Sequence, residues 1–132
     1  MNKFKLFLSV FLILNLQVKC VKRKHEDYLK YLIFSSAKDG DTEGIRGALR
    51  QGIDIDVTNE YQDTPLIEAI INGREEAVKL LVENGANKDH KTESDFTPLM
   101  EAIGKEKIEI AKYLIEQGAD IHYKNEDRKR HV

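Results

Sequence analysis

Thr64-Pro65-Leu66 recurs as Thr97-Pro98-Leu99 at a spacing of 33 residues, and the same offset links Asn59 to Thr92, Gly52 to Gly85, Gly85 to Gly118 and Ala86 to Ala119. A fixed period of this size marks units stacked in a line rather than one closed core. Each such unit carries an apolar side that it cannot bury alone, so its neighbours must cover it.

The residues inside the period specify helices. Thr64 and Thr97 can cap a helix through the hydroxyl, and Pro65 and Pro98 then fall at the first helical position, where a missing N–H does no harm. Leu66, Ala69 and Ile70, and in the next unit Leu99, Ala102 and Ile103, recur at helical spacing and define one apolar stripe per first helix. Second helices follow at about Glu75 to Glu83 and Lys107 to Glu116, with Ala77, Leu80 and Leu81, and Ile108, Ala111, Leu114 and Ile115, on their inner faces. Gly85 and Gly118 stop them, because glycine just past a helix takes the left-handed conformation other residues resist. Extended stretches around 86–91 and 119–124 are expected to form turns projecting between neighbouring pairs, with slight strand content.

Taken together, 63–87 (Asp-Thr-Pro-Leu-Ile-Glu-Ala-Ile-Ile-Asn-Gly-Arg-Glu-Glu-Ala-Val-Lys-Leu-Leu-Val-Glu-Asn-Gly-Ala-Asn) strongly resembles the ankyrin repeat, and 96–120 repeats it. Residues 37–54 supply an N-terminal version. The resemblance implies an all-α fold, an ankyrin-type helical-hairpin solenoid with short β-turn connections, over 27–124 in units of about 27–58, 59–91 and 92–124. Three units are near the minimum that such an array needs, which implies modest stability and fraying at the ends. Two features depart from the family. The histidine that usually follows Thr-Pro-Leu is Ile67 or Met100, so packing must replace its hydrogen bonds; and the usual glycine two residues before the threonine is Gln62 or Asp95, of which Asp tolerates positive φ better than Gln.

The ends of the array raise separate expectations. Tyr28 to Ser36 should form the first helix, with Asp27 as its cap and Lys30, Ser35 and Ser36 available for an outer face. Its partner, about Thr42 to Arg50, contains Gly44 and Gly47 and reads as the weakest helix, since each glycine costs on the order of 1 kcal/mol against alanine. At the other end the period calls for a further Thr-Pro-Leu at 130–132, where Arg130, His131 and Val132 stand. Either Glu106, Glu109, Lys112 and Glu116 make the outer face of the third pair polar enough to serve as a cap, or the chain is a truncated copy of a longer array.

Residues 1–20 read differently. Lys3 and Lys5 precede an apolar run from Leu6 to Leu16, and Val18 and Cys20 occupy the positions before a cleavage at Val21, which outlines a secretory signal. The run is about 17 Å long as a helix against a bilayer core of about 30 Å, which disfavours a spanning helix. Lys19, Lys22, Arg23 and Lys24 oppose translocation and favour keeping that side in the cytoplasm, which leaves an uncleaved membrane anchor carrying a cytoplasmic regulatory module as the alternative. Cys20, the only cysteine, also invites lipidation, although Lys19 fits a lipidation site poorly. On this reading 21–26 is a linker and the protein is secreted, periplasmic or held in the cell envelope, with membrane anchoring as the alternative.

Charge and chemistry exclude more than they assign. The chain has 21 basic and 23 acidic residues; 1–20 hold three lysines and no acid, which leaves the remainder at a net charge of −5 and argues against nucleic-acid binding. Arg128-Lys129-Arg130-His131 reads as a solvated basic end of a tail over 125–132. The four histidines lack metal-ligand spacing, and Asp39-Gly40-Asp41 opens like a calcium loop but meets Arg50 where a bidentate Glu is required. A turn that caps the next helix accounts for those residues. With no phosphate-cradling loop and no nucleophile turn, neither a cofactor nor an enzymatic activity is expected.

Recognition remains. The resemblance implies a monomer that holds a protein partner on its turn tips and inner first-helix face. Carried over by position, the contact residues are Thr58, Glu60, Tyr61, Asp63, Ile71 and Asn72, then Lys91, Glu93, Ser94, Phe96, Gly104 and Lys105. Tyr61, Ile71 and Phe96 are of the types that anchor interfaces, and the acidic neighbours would steer a basic partner; the two aromatic side chains could equally fold down on adjacent turns.

Overall fold

Thr64 and Thr97 start helices as their sequence context requires. The Thr64 hydroxyl accepts from the Ile67 amide at 3.4 Å and that of Thr97 from the Met100 amide at 3.3 Å. The structure, a computed structural model, describes residues 2–121. It runs α1 (Asn2–Asp39), α2 (Thr42–Arg50), α3 (Pro65–Ile71), α4 (Glu75–Glu83), α5 (Pro98–Gly104) and α6 (Ile108–Glu116). No strand occurs among the described residues. Within each unit the two helices pack on each other; across units α1 meets α3 and α3 meets α5, while α2 meets α4 and α4 meets α6. The result is two parallel layers of helices. The last residues of the third unit, 122–124, and the tail over 125–132 lie outside the described residues.

Each helix ends by one device. The amides of Ile53, Ala86 and Ala119 return to the carbonyls of Ala48, Leu81 and Leu114, a loop-back that needs a left-handed residue just before it. The first helices close alike, but in the third unit Glu106 stands where the second has Gly73, at φ 59° against 69°. Gln62 and Asp95 also sit at positive φ, 62° and 64°, so the turn keeps the backbone that glycine would favour despite the side chains.

The core lies between the layers and between units. Ile33, Ile45, Leu66, Ile67, Ile70, Leu81 and Leu114 are fully buried, each contributing about 1.5–3 kcal/mol by its removal from water. Ile67 occupies the position where the family's histidine is absent, and its burial shows packing in that role. Three expected core residues depart from this pattern. Ile103 is 57% exposed, Ile108 54% and Ile115 47%, whereas Ile110 is buried. The reason is positional. Ile70 and Val82, one period before Ile103 and Ile115, are closed over by the third unit, and among the described residues nothing lies beyond α6 to do the same; Ile108 follows by one period Glu75, which is itself exposed, so that position faces outward in both units. The outer face of the third pair is therefore apolar along these isoleucines, and Glu106, Glu109, Lys112 and Glu116 do not make it a polar cap.

The first helix does not begin at Asp27. Residues 2–39 contain neither glycine nor proline, so nothing interrupts the helical backbone, and 21–26 belong to α1. The N-terminal part of this helix stands clear of the stack, with Leu6 to Val21 exposed. Its partner α2 is capped by Asp41, whose carboxylate accepts from the Gly44 amide at 3.0 Å, as the turn reading of that segment expected. The two glycines of α2 are not alike. A Cβ on Gly44 would lie 2.1 Å from the Ser36 hydroxyl, so α2 can approach α1 only because that atom is missing; a Cβ on Gly47 would meet nothing within 4 Å.

Two expectations follow for stability, both read from urea unfolding. Gly47→Ala should stabilise the protein by about 0.5–1 kcal/mol, while Gly44→Ala should destabilise it. Ile70→Ala should cost about 2–5 kcal/mol, and Ile103→Ala less than about 1 kcal/mol, because only the former empties a covered site.

Candidate recognition groove

The turn tips are built by side chains that repeat with the period. In the first tip, Asn59 Oδ1 accepts from the amides of Tyr61 and Asp63, at 2.9 and 3.1 Å, while the Asn59 amide donates to the Asp63 carbonyl at 3.0 Å. In the second, Thr92 Oγ1 accepts from the Phe96 amide at 3.2 Å, and the Thr92 amide donates to the Phe96 carbonyl at 2.9 Å. Asn59 and Thr92 thus do the same work with different oxygens, which is why the offset links them. The tips are joined: the Glu93 amide donates to the Tyr61 carbonyl at 3.3 Å, and His90 Nε2 lies 2.6 Å from the Gln62 carbonyl that accepts from it. Further along, Asp56 accepts from the Asn87 amide and Asp89 from the Asp120 amide, a tie repeated one period on.

Fixed in this way, the first tip holds Tyr61 65% exposed, and the second leaves Phe96 42% exposed. Neither ring is folded into the stack. Thr58 and Asp63 are half-buried, and Glu60, Lys91, Glu93 and Ser94 are exposed around the tips. Ile71 closes α3 half-buried; Asn72 follows it and donates from Nδ2 to the Glu68 carbonyl at 2.8 Å. Gly104 and Lys105 sit exposed at the equivalent end of α5.

These residues do not form one site. Tyr61 and Asp63 line a groove of about 760 Å³ between the first tip, α3 and the flank of α1. Phe96 and Gly104 line a second depression on the outer side of α5, beside Leu99, Met100, Ile103 and Ile121. The other wall of the first groove comes from α1: Tyr31, Phe34, Ser35, Lys30 and Lys38, with Asp27 above them. Tyr31 is 70% exposed and Phe34 half-buried. This wall escaped the positional argument, which started at Thr58. The signal was present: Tyr31 precedes Thr64 by one period, so Lys30, Ser35 and Lys38 correspond to Asp63, Glu68 and Ile71.

Charge is concentrated on the α3–α5 side. Glu68 and Glu101 occupy the same position in successive units. Burial raises the Asp63 carboxyl above its ordinary value; His90 offsets part of the rise and Glu93 adds to it. Burial likewise raises Glu101, with Asp63 adding and Lys105 opposing. The ion pairs of Glu43, Glu76 and Glu109 lie elsewhere, on the second helices. No group of three or more His, Cys, Asp or Glu is disposed to hold a metal ion among the described residues.

A carboxyl whose folded-state pKa is raised opposes folding once ionised, and that penalty is relieved as pH falls through the raised value. Asp63→Asn and Glu101→Gln should therefore each stabilise the protein at about pH 7, and the gain should vanish at about pH 3, where the wild-type groups are protonated. Urea midpoints at the two pH values decide it.

The comparison with known families agrees with this architecture. The family model for ankyrin repeats in three copies matches residues 19–125. No curated protein matches the chain at a significant level. With three in-register helical hairpins and a family match over most of its length, the chain belongs to the ankyrin repeat family, whose stacks serve as protein–protein interaction modules.

Proposed function

We propose that this ankyrin repeat protein is a non-catalytic binding module of the cell envelope or the exported fraction, which holds a protein partner in the groove between α1, α3 and the first turn tip. The observation that carries the reading is the exposure of Tyr31 and Tyr61 on facing walls of that groove, the latter held outward by a hydrogen-bonded turn. Aromatic side chains fixed in this way anchor interfaces, because little conformational freedom is lost when they are covered.

The location half of the reading rests on α1. Leu6, Phe7, Val10, Phe11, Leu12, Ile13 and Leu14 are exposed, with no acid among residues 1–25 and basic residues on both sides of the run. Among the described residues no helix is long and apolar enough to cross a membrane. An export signal accounts for such a segment. A retained anchor is the second reading, in keeping with the unbroken helix from Asn2 to Asp39. N-terminal sequencing of the mature protein separates the two, as residues 1–20 survive only in the anchor.

For the groove, affinity capture with the full chain should recover the same partner repeatedly. Tyr61→Ala should weaken that capture by about tenfold or more while changing stability by no more than about 0.5 kcal/mol. Undiminished capture by the variant would contradict the assignment.

A further inference from the structure

We infer that the partner segment is an extended peptide that places a lysine or arginine side chain against Tyr61 and the carboxylates of Asp63 and Glu68, with apolar residues beside it on Tyr31 and Phe34. The inference rests on the groove being the interface, as proposed above, and adds the chemistry of what enters it.

Three observations lead there. The groove is open and aromatic, with Tyr31 and Tyr61 70% and 65% exposed, and the faces of such rings attract cations. Its α3 side carries carboxylates with no lysine or arginine at ion-pair distance among the described residues; Glu68 has only the Asn72 amide, 3.3 Å from Oε1. Burial works against the charge on Asp63 in the free protein, with Glu93 adding to the cost and His90 offsetting part of it. A cation placed beside Asp63 and Glu68 offsets that cost by attraction and gains charge-assisted hydrogen bonds.

The opposite wall limits the charge of the ligand. Lys30 and Lys38 lie on the α1 side, so a uniformly basic tract would be repelled there. The segment that fits carries one or two cationic groups directed at Asp63 and Glu68, and apolar side chains directed at α1. Alternation of this kind suits an extended backbone, whose successive side chains point to opposite sides.

Selection from a displayed library of random short peptides against the full-length protein, followed by anisotropy titration of the enriched peptide, tests this. Enriched peptides should combine Lys or Arg with aromatic or aliphatic neighbours. Asp63→Asn with Glu68→Gln should weaken binding by about tenfold or more, raised salt should do the same in part, and the melting temperature should not fall. Enrichment without a basic residue, or equal affinity for the double variant, overturns the cationic inference while leaving the groove as the interface. If no peptide is enriched over the Tyr61→Ala protein, the groove itself is overturned, and this inference with it.

Discussion

Every unit of this protein depends on a neighbour to close the apolar face it cannot cover alone. Ile70 and Val82 are buried only because the third unit lies over them; one period later, Ile103 and Ile115 have the same chemistry and remain half exposed. Burial is thus a property of the junction rather than of the residue. This follows from hairpins of two short helices, which present an apolar stripe with no interior of their own. Stability in such an array is a sum of junctions, and the middle unit, covered on both sides, receives the largest share.

The same arrangement supplies the recognition surface. Because packing consumes the faces between units, the tips and the inner flank of the first helices are left free of structural duty. They are nonetheless held firmly. Asn59 and Thr92 tie their own turns, the Glu93 amide reaches back to Tyr61, and Asp56 and Asp89 each accept an amide from the next unit. Side chains on such turns meet a partner already ordered, so less freedom is lost on binding. The raised carboxyls of Asp63 and Glu101 belong to the same surface, where unrelieved charge is tolerated because the junctions carry the fold.

Much of this was legible in the sequence. The period located the units, Thr-Pro located the starts of α3 and α5, and α2 and α4 begin and end where the pattern places them. What could not be read there depended on neighbours. Helical spacing identifies Ile103, Ile108 and Ile115 as apolar without saying whether anything lies over them. Gly44 looked like a weakness by propensity, yet its missing Cβ is what admits Ser36. Asp27 has the right side chain for a cap, but a run without glycine or proline let the helix pass through it. The groove showed the same limit: Tyr61 and Asp63 could be placed by position, while the facing wall on α1 emerged only when Tyr31 was set one period before Thr64.

Native-state amide hydrogen exchange measures the junction principle most directly, since local opening reports how well each unit is covered. The account predicts the slowest exchange in α3 and α4, faster exchange in α5 and α6, and the fastest in the part of α1 that precedes Asp27. Protection equal across all three units, or greatest in α5 and α6, would contradict it.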